Sequence, residues 1–278
     1  MNAIHIISTA PFFARGGKQL CTEDFDLYCM ALSALAWRRY NGKISLYIDK
    51  RGWEYYRSLG LERLWDEVRV CVPDDLEGIN PVMFWAGGKL FALREAEAPV
   101  VMIDTDFIVW KPLKFGREII AAHREDLSPD IYPPPGFFRT RGHALPDFDE
   151  SVLPLNTAFL YLPDNDFKEF YTSQAIAFMR SAEDSEDVLR YMVFAEQRMA
   201  AMCAEYTGTP VKTLLNKDDL FFPQSGFTHL WGAKQAMRDN PELRRDFLDR
   251  CRSRLKGEFP EYGEIADIID GQQRPNQC

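Results

Sequence analysis

The chain has 278 residues, 46% of them hydrophobic and 27% charged, with a formal net charge of −9. This is an ordinary globular composition, large for one core but within reach of a single α/β domain. The acidic balance argues against a nucleic-acid or anionic-membrane surface as the main partner, since those are bound through clustered Lys and Arg, so any anion must be held locally.

The stretch Met1-Asn2-Ala3-Ile4-His5-Ile6-Ile7 has no basic leader and too short an apolar run for a secretory signal. No later run approaches transmembrane length. Cys21, Cys29, Cys71, Cys203, Cys251 and Cys278 lie far apart with no Cys-x-x-Cys, which reads as reduced thiols in a reducing compartment. A cytoplasmic protein is expected.

In chain order, residues 3–8 read as a buried strand, followed by a loop over 11–18 with Gly16-Gly17 flanked by Arg15 and Lys18. A loop after the first strand of an open α/β sheet lies on the side where ligands bind, so it reads either as a phosphate-approaching loop or as plain surface. A helix over 23–39 carries Phe25, Tyr28, Cys29, Leu32, Leu35 and Ala36 on one side and ends at Asn41-Gly42. Residues 44–48 are a strand, 53–59 helical, 67–72 extended, 83–96 helical despite Gly87-Gly88, and 99–103 a buried strand. Strands alternating with helices predict crossover units and a mostly parallel sheet. Residues 128–149 are irregular and Pro-rich, and Tyr132, Phe137 and Phe138 among them read either as an acceptor wall or lid or as packing onto the core. A buried strand over 155–162 opens with the polar pair Asn156-Thr157. Helices over 167–181, 185–206 and 241–255 follow, and 271–278 has the composition of a frayed tail, leaving one domain over 1–270.

Asp104 and Asp106 stand at the end of the apolar run 99–103. In a strand, positions i and i+2 share a face, so these carboxylates converge at the strand's tip while Thr105 points the other way. Two such charges are costly together unless a divalent ion or a basic group compensates them. The pair therefore predicts a hard cation and an anionic ligand beyond it. Phe107-Ile108-Val109-Trp110 is apolar again, so the acids interrupt a core strand.

Lys89 upstream of the pair, Asp104-Thr105-Asp106, the strand opening Asn156-Thr157, and His229-Leu230-Trp231-Gly232-Ala233-Lys234 occur in an order that resembles glycosyltransferases of the GT-A fold, most closely the glycogenin-like and lipopolysaccharide galactosyltransferase-like enzymes. The resemblance implies a GT-A-like, Rossmann-like sheet and transfer of a sugar from a UDP-sugar to a saccharide or other hydroxyl acceptor, leaning towards retention of configuration. It implies Mn or Mg held by Asp104, Asp106 and His229. It sets Lys89, Thr105, Gly232 and Lys234 against the donor, and Asn156, with Glu196 and Gln197 in a loose match to an Asp-Gln helix motif, near the transferring sugar. Asn156 lacks the family's following Gly, and no Pro-Trp follows Lys234. His5, His123 and His143 have no comparable partners and read as structural.

Two other readings stand beside it. A non-catalytic nucleotide-sugar-binding protein of the same fold has the same motifs. A haloacid-dehalogenase-like phosphotransferase also places Asp-x-Asp after a buried strand, but wants Thr, Ser or Gly soon after the second Asp, where Phe107-Ile108-Val109 stands here.

Overall fold

Strands that are apolar on successive residues have no face to give to water, so they fold only where both faces are covered. The computed structural model describes residues 1–142, 144–220, 222, 226–230 and 232–272; His143, Trp231 and the end of the expected tail lie outside them. The elements run β1 (Ala3–Ile7), α1 (Ala10–Ala14), α2 (Asp24–Tyr40), β2 (Ile44–Ile48), α3 (Lys50–Ser58), β3 (Glu67–Val70), α4 (Gly88–Glu95), β4 (Val100–Ile103), β5 (Phe107–Val109) and β6 (Ile119–Arg124). They continue with β7 (Leu155–Leu162), α5 (Asn165–Ser181), α6 (Val188–Val193), α7 (Met199–Tyr206), β8 (Val211–Thr213), β9 (Phe227–His229), α8 (Ala233–Asp239), α9 (Pro241–Glu258) and α10 (Gly263–Gly271).

The main sheet has seven strands in the order β3-β2-β1-β4-β7-β6-β8. β7 alone runs against its neighbours, antiparallel to both β4 and β6; the other pairs are parallel. This is the mostly parallel, helix-flanked sheet that the alternation of strands and helices in the sequence predicts. One face is covered by α2 with α9 and α10 behind it. The other is covered by α4, α5 and α7.

Local chemistry explains where the elements depart from expectation. Pro11 starts the short α1 inside the expected loop, in a first-turn position where its missing N–H costs nothing, and Gly16 at φ +86° ends the turn that follows. The helix expected from residue 83 begins only at Gly88, which a side chain could not replace: a Cβ there would stand 2.6 Å from the Ser8 Cβ. α2 is buried on nearly all sides, Met30, Ala31 and Ala34 included, because it lies between the sheet and α9 and α10 rather than on the surface. The helix expected over 185–206 is α6 and α7 joined by a π-helical turn, Phe194–Arg198.

The Pro-rich stretch 128–149 is strapped to α5 and the π turn. The Phe138 ring lies 4.2 Å from Phe194 and 4.9 Å from Tyr191, and the Arg141 amide donates to the Ser181 carbonyl. Tyr132 and Phe138 are buried and pack onto the core, as does Phe148, whereas Phe137 stays exposed. Cys29, Cys71, Cys203 and Cys251 are free thiols, whereas Cys21 is disulfide-bonded, so the expectation of reduced thiols throughout does not hold. Among the described residues no helix is long and apolar enough to cross a membrane.

Phe159 in β7 is fully buried and its ring leans on Trp37 of α2 at 6.2 Å and on Phe107 of β5 at 6.0 Å. Phe159→Ala removes the contact between three elements at once, and is expected to cost roughly 3–5 kcal/mol. Chemical denaturation checks this through the midpoint, with the slope unchanged.

Candidate functional site

The chain leaves β1 towards β2 on one side and later reaches β4 on the other, so the strand order reverses between β1 and β4. At the carboxyl ends of such a pair the flanking connections diverge and leave a crevice. A cavity of about 470 Å³ lies there, lined by Ser8, Asp26, Tyr56, Trp85, Lys89 and the segment Asp104-Thr105-Asp106, with Lys234 at its edge. A larger hollow of about 730 Å³ is bordered by Phe13, Tyr55, Glu23, Asp24 and Arg244, whose acids are paired with Arg244.

β4 does not continue through the acidic pair. Asp104, Thr105 and Asp106 make a tight turn closed by the Phe107 amide, which donates to the Asp104 carbonyl at 2.9 Å. β5 then leaves the main sheet and pairs with β9. The alternation rule of a strand does not hold in a turn, so the carboxylates reach different cations. Lys89 Nζ lies 2.7 Å from Asp104 Oδ1 and 2.9 Å from Oδ2, and 2.9 Å from Glu196 Oε1. Lys234 Nζ lies 2.9 Å from Asp106 Oδ2 and 2.9 Å from Asp26 Oδ1. Pairing of β5 with β9 sets Phe107 opposite His229 and brings His229 Nε2 to 3.9 Å from Asp106 Oδ1.

Burial raises the Asp104 carboxyl to about 6, with Lys89 pulling it down and Asp106 and Glu196 pushing it up. Burial pushes Asp106 the same way, but Lys234 and His229 outweigh it and hold it below the usual carboxylate range. Burial brings His229 down to about 4 against the pull of Asp106, so at neutral pH its ring is uncharged. For Lys89 and Lys234 burial opposes the charge, yet their carboxylate partners raise both above the ordinary lysine value.

The other expected residues divide. Glu196, on the π turn and 4% exposed, joins the cluster by accepting from Lys89 and from Thr157 Oγ1 at 2.8 Å. π turns recur at functional sites because the extra residue re-aims a side chain that a regular helix would point elsewhere. Gln197 Oε1 instead accepts from Tyr132 OH at 2.5 Å, tying down the Pro-rich stretch. Asn156 is spent within the sheet, donating to Glu125 at 3.0 Å and accepting from the Ala158 amide at 3.1 Å. Thr105 lines the cavity. Gly232 is exposed at the start of α8, with negative φ and open space where a Cβ would stand, so its backbone makes no demand for glycine. Arg15 and Lys18 are exposed and do not line the cavity, in keeping with plain surface.

Two further residues join the cluster: Thr157, the second member of the polar pair that opens β7, and Asp26, in the first turn of α2, which the sequence does not single out. Among the described residues no group of three or more His, Cys, Asp or Glu side chains is gathered to hold a metal. The ammonium groups of Lys89 and Lys234 occupy the carboxylates that would do so. The chemistry of the set still suits a divalent cation. The carboxylates of Asp26, Asp104, Asp106 and Glu196 outnumber these two ammonium groups, most of the donors are hard oxygens, and a neutral imidazole stands beside Asp106.

The model of a family of unknown function (DUF6734) matches residues 13–132, less than half of the chain and including Lys89, Asp104 and Asp106. No curated protein matches the sequence. Among solved structures the chain is similar to PaToxG glycosyltransferase at 13% identity, covering 74% of this chain and 68% of that one, with a TM-score of 0.41. It is similar to the glycosyltransferase GlyE of Streptococcus pneumoniae TIGR4 at 12% identity, covering 80% of this chain and 46% of that one, with a TM-score of 0.37. Galactosyltransferase LgtC in complex with donor and acceptor sugar analogues is similar at 14% identity, covering 77% of this chain and 73% of that one, with a TM-score of 0.34.

Lys89→Met removes the cation between two partly or fully buried carboxylates. Asp104 keeps 26% of its side chain exposed, so the expected loss at about pH 8 is moderate, roughly 1–3 kcal/mol. The folded Asp104 carboxyl already sits above its ordinary value, so folding takes up a proton there, and that contribution is fully present in acid and lost as pH rises through about 6. Without Lys89 the folded value moves higher still. The deficit in melting temperature against the parent should therefore shrink between about pH 8 and about pH 5, and an unchanged deficit at both would contradict this electrostatic account.

Proposed function

We propose that the chain is a metal-dependent glycosyltransferase that takes its sugar from a nucleoside-diphosphate donor, UDP-linked on the sequence resemblance, and passes it to a hydroxyl acceptor. One observation carries the reading: a carboxylate surplus with two fixed lysines at the carboxyl ends of β1 and β4, bordering a cavity of nucleotide dimensions. Asp104, Asp106 and His229 are the residues that would hold Mn or Mg, and a bound divalent ion supplies Lewis-acid neutralisation of charge growing on a diphosphate leaving group. Lys234 places a second positive charge near the same oxygens, and as a fixed group it costs no reorganisation when that charge develops. Lys89 holds Asp104 and Glu196 in place from behind. Glu196, fixed from two sides by Lys89 and Thr157, is buried and does not line the cavity, so its part is to hold Lys89 beside Asp104.

A binding-only protein of the same fold is the second reading, and a particular observation favours it. Asn156 and Gln197, the other residues expected near the sugar, have their side chains engaged by Glu125, Ala158 and Tyr132, and neither lines the cavity. Turnover separates the two readings.

A panel of nucleotide sugars with and without Mn tests binding. At ligand about 100-fold above Kd the stabilisation is about 2.7 kcal/mol, a rise of roughly 5–10 °C in melting temperature. The rise should require Mn, be largest with a uridine-linked donor, and largely vanish in Asp106→Asn and His229→Ala. Release of nucleoside diphosphate from the same donor marks the enzyme; a Mn-dependent rise with no release marks the binding protein. A rise that persists in both variants removes these side chains from the site.

A further inference from the structure

Three acidic residues crowd the N-terminus of α2, and all are answered from the C-terminal helices. Glu23 receives Arg238 Nε of α8 at 2.6 Å and Arg244 of α9 at 3.1 Å. Asp24 receives Arg244 Nη2 at 2.7 Å. Asp26 receives Lys234 Nζ at 2.9 Å. Acids in a first helical turn complement the helix dipole wherever they stand, and that alone would account for Glu23 and Asp24. It does not account for Asp26, which lines the cavity and shares its lysine with Asp106.

Lys234 and Arg238 are four residues apart on α8 and so lie on one face, which docks on the end of α2. The docking sets the direction from which Lys234 enters the site. A lysine ammonium has three donors. Here Asp26 and Asp106 engage it from two sides, and the side chain of Lys234 remains 30% exposed.

Resting on the functional reading above, we propose that Asp26 is a positioning residue for Lys234. It keeps one fixed carboxylate on the ammonium when Asp106 turns to a cation, so that the remaining N–H bonds face the diphosphate. A flexible lysine left with no anchor would have to lose its rotamer freedom at the moment of binding, and a lysine already held by Asp26 loses less. The role is specific to the diphosphate part of the ligand, because nothing in the arrangement reaches from Asp26 through Lys234 to a nucleoside.

The test measures binding of uridine diphosphate in the presence of Mn, and of uridine alone, by calorimetry on the full chain. Asp26→Asn is expected to weaken uridine diphosphate roughly ten-fold while leaving uridine unchanged. Asp26→Glu, which keeps the charge, should recover part of the loss, and serves if the Asn variant does not fold. Lys234→Met should show a loss of similar or larger size, and adding Asp26→Asn to it should cost little more, since both changes act on one contact. If Asp26→Asn and Asp26→Glu bind uridine diphosphate like the parent, or if the losses of Asp26→Asn and Lys234→Met multiply, the positioning role is wrong and the functional reading stands. If the parent itself shows no Mn-dependent binding of uridine diphosphate, the functional reading falls and takes this role with it.

Discussion

The arrangement of the site depends on one buried cation. Lys89 sits between Asp104 and Glu196 and so joins the N-terminal end of α4, the tip of β4 and the π turn, with Thr157 of β7 bonded to the same Glu196 oxygen. Desolvation of such charges is costly, and the mutual attraction repays it only when geometry is close and every remaining lone pair is satisfied. Here the contacts are 2.7–2.9 Å, and the cluster ties four segments into one arrangement. The requirement also explains a glycine. α4 must approach β1 closely enough for Lys89 to reach β4, and Gly88 against Ser8 allows that approach.

How much of this was legible follows from the kind of signal each feature leaves. β2 and β7 have the bounds that their apolar runs predict, because a strand buried on both faces cannot carry polar residues except where they do something. Of the exceptions in β7, Asn156 and Thr157, only Thr157 bonds to the charged cluster. Alternation sends them to opposite sides of the sheet, Thr157 to the cluster and Asn156 to Glu125, and only the registry with β4 and β6 decides which side holds the site. The acidic pair, which strand alternation predicts to be a strand end, is a turn. The difference matters little to composition but redirects both carboxylates. The π turn is invisible in sequence because one extra residue per turn has no compositional mark. Asp26 was hidden for another reason: an acid in a first helical turn is what any helix would have.

The same logic accounts for the Pro-rich stretch. Its aromatics fit two readings equally from sequence, since a lid and a packed strap both want large apolar rings. What separates them is the backbone: the Arg141 and Glu183 amides bond to the Ser181 and Arg139 carbonyls, and the Arg190 guanidinium to the Asp130 carbonyl. Each of these bonds would have to break for the segment to open, which ties it to the helices beside it. The stretch thereby acts on the site indirectly, holding Gln197 through Tyr132 and so steadying the π turn from which Glu196 projects.

On the proposed reading the chain faces an apparent contradiction, since a protein of net charge −9 must attract a ligand that is itself an anion. Distance resolves it. Exposed charges are screened beyond a Debye length of about 8 Å at physiological salt, so most of the acidic surface is not felt inside the cavity. Within it the balance is set by a handful of groups in two clusters, Glu196 and Asp104 around Lys89, and Asp106 and Asp26 around Lys234. On the proposed reading such a surplus of carboxylates would disfavour a bare diphosphate and favour its complex with a divalent cation, by charge count before any contact to base or sugar.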